Sequence, residues 1–507
     1  MRLSLVLCIF TLSAFAYPNV EDLHSRQDDA GPLLIDPAGQ PSLPSPQQAE
    51  RQAARLGLDL DNIQGDILVG MKKRKELFFF FQIRNKTLFK SSLKNLRPLI
   101  TTTKQLLSAK SNSGSAVNIA FSQTGLNFLG VSDDLKDDVF RAGQASDANN
   151  LGDPGTKNWV DAFKGNKIHG VLLVAADSNP RLLAQLAKVK LVFGPSVSEL
   201  YTLQGAARPG DQEGHEHFGY MDGISQPGIN GFTDKPLPGQ QMLDPGFFLL
   251  GEQGDSIQRP AWAKDGSFLA FRQLRQLVPE FNQFVTENAL KVPGLSVQEN
   301  TDLFGARMVG RWKSGAPIDL APLRDDPVLA KDPMRNNDFT FKHPGADILT
   351  NQTNCPFSAH VRKTRPRADF DPENTENHIM RAGIPYGPEV TALERSQKKS
   401  SDSQPLERGL AFVAYQSNIG NGFQFIQRNW VDNANFFFGK STPPGVDPII
   451  GSTNGGKANI DNTRVVSGLN PMNSSSTVTI KKDFVVSRGG EYFFTPSLAA
   501  LLDPIGK

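Results

Sequence analysis

The sequence predicts an α+β fold made of duplicated ferredoxin-like modules: two antiparallel sheets with flanking helices. Two observations carry that prediction. Stretches of period two, the mark of a strand, repeatedly give way to stretches of period near 3.6, the mark of a helix, and they do so in both halves of the chain. Between these units run long connections rich in Gly and Pro (205–245, 313–355 and 439–475), the kind of loop on which a rigid scaffold carries its function.

Taken in order, the chain opens with Arg2 and the apolar run "LSLVLCIFTLSAFA", which ends in Ala14-Phe15-Ala16. That is the layout of a secretory signal peptide over 1–16, and the run is too short to span a bilayer. Residues 17–56 are polar, rich in Pro, Gln and Asp, and without period; they read as a propeptide or disordered lead outside the core. Order is expected from "LDLDNIQGDILVGM" onward. "KELFFFFQI" is too short and too aromatic for a helix and reads as a doubly buried strand. "HGVLLVAAD" (169–177) is a strand followed by the helix "NPRLLAQLAKVK", with Asn179-Pro180 as its start. "SFLAFRQL" (267–274) leads into "VPEFNQFVTENAL", and "GLAFVAYQS" (409–417) into "GFQFIQRNWV". The expected boundaries are 57–245 for the N-terminal module and 246–507 for the C-terminal one.

Bulk properties narrow the function. A formal charge of +2 on 507 residues, with no block of like charge, argues against a nucleic-acid or anionic-membrane partner. Cys8 lies in the signal segment, so the mature chain keeps only Cys355 and has no intrachain disulfide. Asn85, Asn351 and Asn473 stand in glycosylation sequons, which fits a soluble extracellular product.

One glycine-rich stretch, "HFGYMDGISQPGINGF" (217–232), carries a carboxylate, Asp222, between Met221 and Gly223. A turn residue is one reading of it; an acid/base held at a buried bend is the other. Just upstream, His215-Glu216-His217 puts two imidazoles on one side of an extended segment, but no third and fourth metal ligand stand near. His360 sits in "NCPFSAHVRKTRPR", where Pro356 suits a first helical turn and Pro366 forbids continuation. It reads either as a structural histidine or as an axial haem ligand, since neutral imidazole binds iron in an apolar pocket and nearby arginines pair with propionates. Arg381, in "NHIMRAGIPYGPE", is a surface or capping residue in one reading. Beside a haem, its guanidinium would stabilise charge developing on peroxide oxygens. No nucleophile elbow, phosphate-binding loop or dinucleotide fingerprint follows a strand.

Several of these segments agree with one family. The chain resembles the dye-decolourising peroxidases, in particular the secreted fungal type. The Gly-x-x-Asp-Gly signature stands as Gly219-Tyr220-Met221-Asp222-Gly223 and continues into "ISQPG". It is followed in chain order by "GARMVGRWKSGAP", "CPFSAHVRKTRPR", "RAGIPYGPE" and "GLAFVAYQS", and preceded by "DNIQGDILVGM". The resemblance implies a peroxidase with one haem b per chain, lying mainly in the C-terminal module. Its expected partners are hydrogen peroxide and aromatic reducing substrates such as bulky dyes and phenols, with no nucleic acid or membrane, in a monomer or weak dimer.

The same resemblance implies roles. His360 would be the axial ligand, Asp222 the distal acid/base and Arg381 its charged neighbour. Ile224, Gln226, Arg311, Leu410, Phe412 and Asp447 would contact or support the cofactor. Of these, Asp447 in "PPGVDPIIG" would accept the other ring N–H of His360, and Leu410 and Phe412 would wall the distal pocket from one face of a strand. Trp430, which resembles the family's radical-forming surface tryptophan, and Tyr386 would relay electrons to donors too large to enter. Two other classes stay open on the residues: a haem carrier or sensor, needing neither Asp222 nor Arg381, and a haem-free secreted binding module.

Overall fold

The computed structural model describes residues 43–71, 73–108, 114–453 and 462–507. The signal segment expected over 1–16 lies outside the described residues, as does the lead up to residue 42.

"KELFFFFQI" forms strand β1 (Lys75–Ile83), buried along nearly its whole length. A pleated strand sends alternate side chains to opposite faces, and here both faces are apolar. Phe78 and Phe80 enter one core, while Leu77, Phe79, Phe81 and Ile83 enter another. With β2 (Ser115–Phe121), β3 (Gly170–Ala176) and β4 (Val197–Ala206) it forms an antiparallel sheet in the order β2-β3-β1-β4. Helices Lys86–Leu96 and Asn179–Phe193 cover one face, burying Phe89 and Leu93, and Leu182 and Val189, against it. The second of these carries Pro180 in its first turn, where the missing N–H has no intrahelical partner to lose.

The C-terminal half repeats the plan. It contains β5 (Ser267–Gln276), β6 (Met380–Arg381), β7 (Ile384–Tyr386), β8 (Gly409–Gln416) and β9 (Val485–Thr495). β6 and β7 are two pieces of one strand against β8, with Arg381 opposite Ala414 and Tyr386 opposite Gly409. The order β9-β5-β8-β6/β7 is that of the first sheet, strand for strand, which is the duplication expected from the sequence. The expected helix after β5 spans Val278–Glu287, and the one after β8 starts at Phe423–Phe425 and widens into a π-helical turn, Ile426–Val431.

The structure adds something the pattern did not predict. Phe494 of β9 pairs with Phe121 of β2, and Gly205 of β4 pairs with Tyr386 of β7, so the two sheets close into one nine-stranded ring. Phe78, Phe80, Phe271, Val413, Tyr415 and Phe493 fill its apolar interior. At about 1.5–3 kcal/mol per fully buried large side chain, this core is a major stabilising term.

One expectation is corrected. Residues 46–56 are not a disordered lead but an 11-residue helix whose N-cap Ser45 and N3 residue Gln48 form a reciprocal capping box. Gln48 and Gln52 both donate to Asp234, each at 2.7 Å. The helix escaped the sequence reading because its buried face is only Ala49 and Ala53.

Candidate active site

Asp222 lies on a bend between two glycines with left-handed backbones, Gly219 (φ 96°) and Gly223 (φ 78°), a conformation that side chains disfavour. Its main-chain N–H donates to Gly214, and its Oδ1 accepts from Gly223 N–H at 2.6 Å. Arg381, on β6 rather than at a helix end, places Nη1 2.6 Å from the same oxygen, while its Nη2 donates to the Ser225 carbonyl. Gln226 holds Arg381 from behind, donating to its carbonyl and accepting its N–H. Burial alone would raise the Asp222 carboxyl. The charge and hydrogen bond of Arg381 and the Gly223 N–H outweigh it and hold the group below the usual carboxylate range.

His360 opens a five-residue helix, His360–Thr364. Pro356 does not start that helix, as its position suggested, but the turn before it, where Ala359 N–H donates to the Pro356 carbonyl. Pro366 follows the end, as expected. His360 Nδ1 lies 2.7 Å from Oδ2 of the fully buried Asp447, whose Oδ1 accepts from Ile449 N–H (2.8 Å) and Ile450 N–H (3.0 Å). Burial opposes ionisation of Asp447, but the imidazole and these two donors prevail and keep its pKa low. A carboxylate at Nδ1 assigns the ring proton there and leaves the Nε2 lone pair unused.

Asp222, Arg381 and His360 line one cavity of about 340 Å³. Ile224, Gln226 and Arg311 line it too. So do Leu410 and Phe412, both half-buried on a strand whose residues 409, 411 and 413 are buried. Arg311 has little to give a ligand, since its guanidinium is spent on Gly315 O, Asn336 O and Asn337 Oδ1. A smaller cavity of about 180 Å³ shares Asp222, Gln226 and Arg381 with the first.

Whether these walls suit a flat, largely apolar dianion can be judged from their unspent polar atoms. Arg365 Nη1, Arg367 Nε and both ring nitrogens of His378 are buried on the cavity lining without a hydrogen bond of normal geometry. Leaving such donors unmatched costs about 1–3 kcal/mol each, and more where charged. Carboxylate oxygens placed there would accept from the guanidinium nitrogens and from the one protonated nitrogen of the His378 ring. Burial and the neighbouring Arg365 depress the His378 imidazole to about 3. Apolar walls, a free imidazole nitrogen and a nest of unmatched donors fit a haem with its two propionates. Sequence reading missed Arg365, Arg367 and His378 by number. The signal was the basic run "VRKTRPR", but which of its guanidiniums points inward depends on the left-handed backbone of Arg367 (φ 50°).

The remaining residues fall elsewhere. His215 and His217 are engaged by main-chain carbonyls, His215 with Lys313 O and His217 with Tyr386 O. Trp430 is not a surface residue: it is 2% exposed, stacked on Phe436 at 5.4 Å, with Phe370 and Phe425 also against it. The buried Lys363 fixes this cluster by donating to the carbonyls of Trp430, Asn433 and Phe436. Tyr386 is also buried, its hydroxyl donating to Glu407 Oε1 at 2.9 Å.

Comparison with known proteins places the chain in one family. The family model described as the DyP dimeric alpha+beta barrel domain matches residues 62–209, and that described as Dyp-type peroxidase, C-terminal, matches 255–436. The chain is 62% identical over 475 residues to Peroxidase 2 of Mycetinis scorodonius, covering 92% of each. It is 51% identical over 478 residues to a dye-decolorizing peroxidase of Auricularia auricula-judae, covering 92% of this chain and 90% of that one. The crystal structure of a fungal DyP-type peroxidase from the latter organism matches with a TM-score of 0.84 at 50% identity, covering 89% of this chain and 99% of that one.

Proposed function

This chain belongs to the DyP-type peroxidases, and from that premise we propose how its residues carry the activity. It is a dye-decolourising peroxidase, using hydrogen peroxide to oxidise dyes. A haem b, one per chain, would be held here by His360 Nε2, with Asp447 orienting that imidazole and Arg365, Arg367 and His378 available to its propionates. Bound there, a haem would supply the redox chemistry for reaction with peroxide.

The rest falls to the side chains. Asp222, ionised on arrival of peroxide, takes a proton from the near oxygen and delivers it to the departing one. Arg381, 2.6 Å away, keeps the carboxylate ready and stabilises negative charge as the O–O bond lengthens. Leu410 and Phe412 narrow the pocket, so peroxide enters and a polycyclic dye does not. Large donors therefore exchange electrons through the protein, with Trp430 and Tyr386 as relays. The N-terminal signal sequence directs the chain outside the cell, where it acts as a monomer or weak dimer. No helix among the described residues is long and apolar enough to cross a membrane.

The observation that carries this reading is a single cavity lined by His360, whose ring Asp447 holds from behind, and by the Asp222–Arg381 pair. A haem carrier would need only the first. The test is an absorption spectrum followed by peroxide-dependent dye bleaching: a Soret band and turnover are expected, with both lost or strongly reduced in His360→Ala. A Soret band without turnover would leave the carrier, and no band would leave the haem-free module.

A further inference from the structure

The capped helix Pro46–Leu56 lies outside the matched family domain, which begins at residue 62. Leu43 and Pro44, which lead into it, line the smaller cavity of about 180 Å³ together with Asp222, Gln226 and Arg381. Once a haem fills the larger cavity, this smaller one offers a small molecule its approach to Asp222. Ile229, Phe232 and Thr233 form another part of the same wall, and the helix grips the loop that carries them. Gln48 and Gln52, four residues apart on one helix face, donate to the two oxygens of Asp234, each at 2.7 Å. Leu56 packs so closely on Gly231 that a Cβ there would stand 2.8 Å from its Cδ1. Yet the grip is slight. The buried face is only Ala49 and Ala53, and the Glu50–Lys104 ion pair (3.2 Å) is exposed on both sides. An element with so few buried apolar contacts opens at low cost. It also ends at a joint: Gly57 is exposed with φ 72°, while Leu58 and Leu60 just beyond are anchored in the core.

Resting on the peroxidase reading above, we propose that Leu43–Leu56 is an autoinhibitory strap, which closes the smaller cavity against peroxide and admits it by swinging open about Gly57. The strap contributes no group to the reaction and acts through access alone. While it is down, Leu43 and Pro44 occupy the wall through which peroxide would pass. While it is up, Asp222 is reached from solvent. The observed rate is then the open-strap rate multiplied by the fraction of time the strap is open. Asp234 sets that fraction, because it holds the helix at two points on its attached face.

The test uses the holoenzyme with the strap in place and two ways of freeing it. Asp234→Ala removes both tethers, and Asp234 lines neither cavity. Brief trypsin treatment cuts at the exposed Arg51 or Arg55. Two rates are read: reaction with peroxide in stopped flow, and carbon monoxide binding to the reduced holoenzyme, which needs access but no proton transfer. Both should rise about tenfold or more, the factor for a strap open a tenth of the time or less. Hydrogen exchange, which needs no haem, should show the Pro46–Leu56 amides unprotected in Asp234→Ala and the strands of the barrel unchanged. If Asp234→Ala fails to fold, low urea on wild type decides the matter, because both rates should climb before the barrel melts. Unchanged rates in Asp234→Ala or in the cut chain, with the helix shown to be free, overturn the proposal. So does a wild-type rate that stays flat in urea up to the melt. No peroxide reaction in any form, with carbon monoxide binding still faster on release, would instead overturn the peroxidase reading and leave the strap.

Discussion

Asp447 Oδ2 lies 2.7 Å from His360 Nδ1, and the other oxygen of the same carboxylate is taken by the main-chain N–H groups of Ile449 and Ile450. This arrangement cannot be mimicked by an amide. In Asp447→Asn, an amide oriented to accept from His360 would turn its NH₂ onto two N–H donors. Haem affinity or turnover should fall about 10–100-fold, the usual scale for losing a residue that orients a metal ligand. A haem titration of the variant, followed by its dye turnover, measures it.

Asp222→Asn should keep the haem spectrum yet react with peroxide about 10²–10⁴-fold more slowly, because the amide cannot take the proton. Stopped-flow mixing with peroxide reads this directly. A rate near wild type across the working pH range would remove Asp222 from the mechanism.

The pH profile follows from the same pair. The working form of Asp222 is the carboxylate, present above its pKa, and Arg381 helps to hold that pKa below the usual carboxylate range. Activity should therefore extend well into acid and fade as pH drops through the depressed pKa. In Arg381→Leu, burial is left with less to oppose it. The acid limb should move to higher pH, and the rate at the optimum should drop on the order of 10²-fold or more.

His378→Leu separates stability from cofactor binding. It removes a buried imidazole that makes no hydrogen bond of normal geometry, so the haem-free chain should melt no lower than wild type. Haem retention should weaken, because a propionate loses a donor. Calorimetry of the haem-free chain, together with a haem-transfer assay, checks both signs. A large drop in the melting temperature would mean that the ring is structural.

Trp430→Phe should lower turnover of large anthraquinone dyes while leaving the peroxide reaction intact. Because Trp430 is buried against Phe436, any electron it passes must cross the surrounding aromatic cluster rather than leave by direct contact with a dye. Unchanged dye kinetics in a folded variant would place the exit elsewhere.

Much of this was legible in the sequence, for identifiable reasons. β1, β5 and β8 announce themselves as short apolar and aromatic runs buried along most of their length, and the duplication shows because such runs give way to period 3.6 in both halves. Asp222, His360 and Arg381 stand in motifs local enough to quote. What was illegible depends on contacts far along the chain. The burial of Trp430 needs Phe436 and Lys363 folded around it, and the inward turn of Arg367 needs a left-handed backbone that no neighbouring glycine signals. Helix Pro46–Leu56 was missed because two buried alanines make too faint a stripe to count as a period.

The ring closed by Phe494–Phe121 and Gly205–Tyr386 has a bearing on whether the chain stays dispersed in solution. A sheet that ends in an open strand offers a row of unpaired N–H and C=O groups onto which another molecule can stack. Here the outer strand of each half occupies that row on the other half. Either half expressed alone would carry two raw margins and should assemble into fibrous aggregates, while the intact chain should stay dispersed at high concentration.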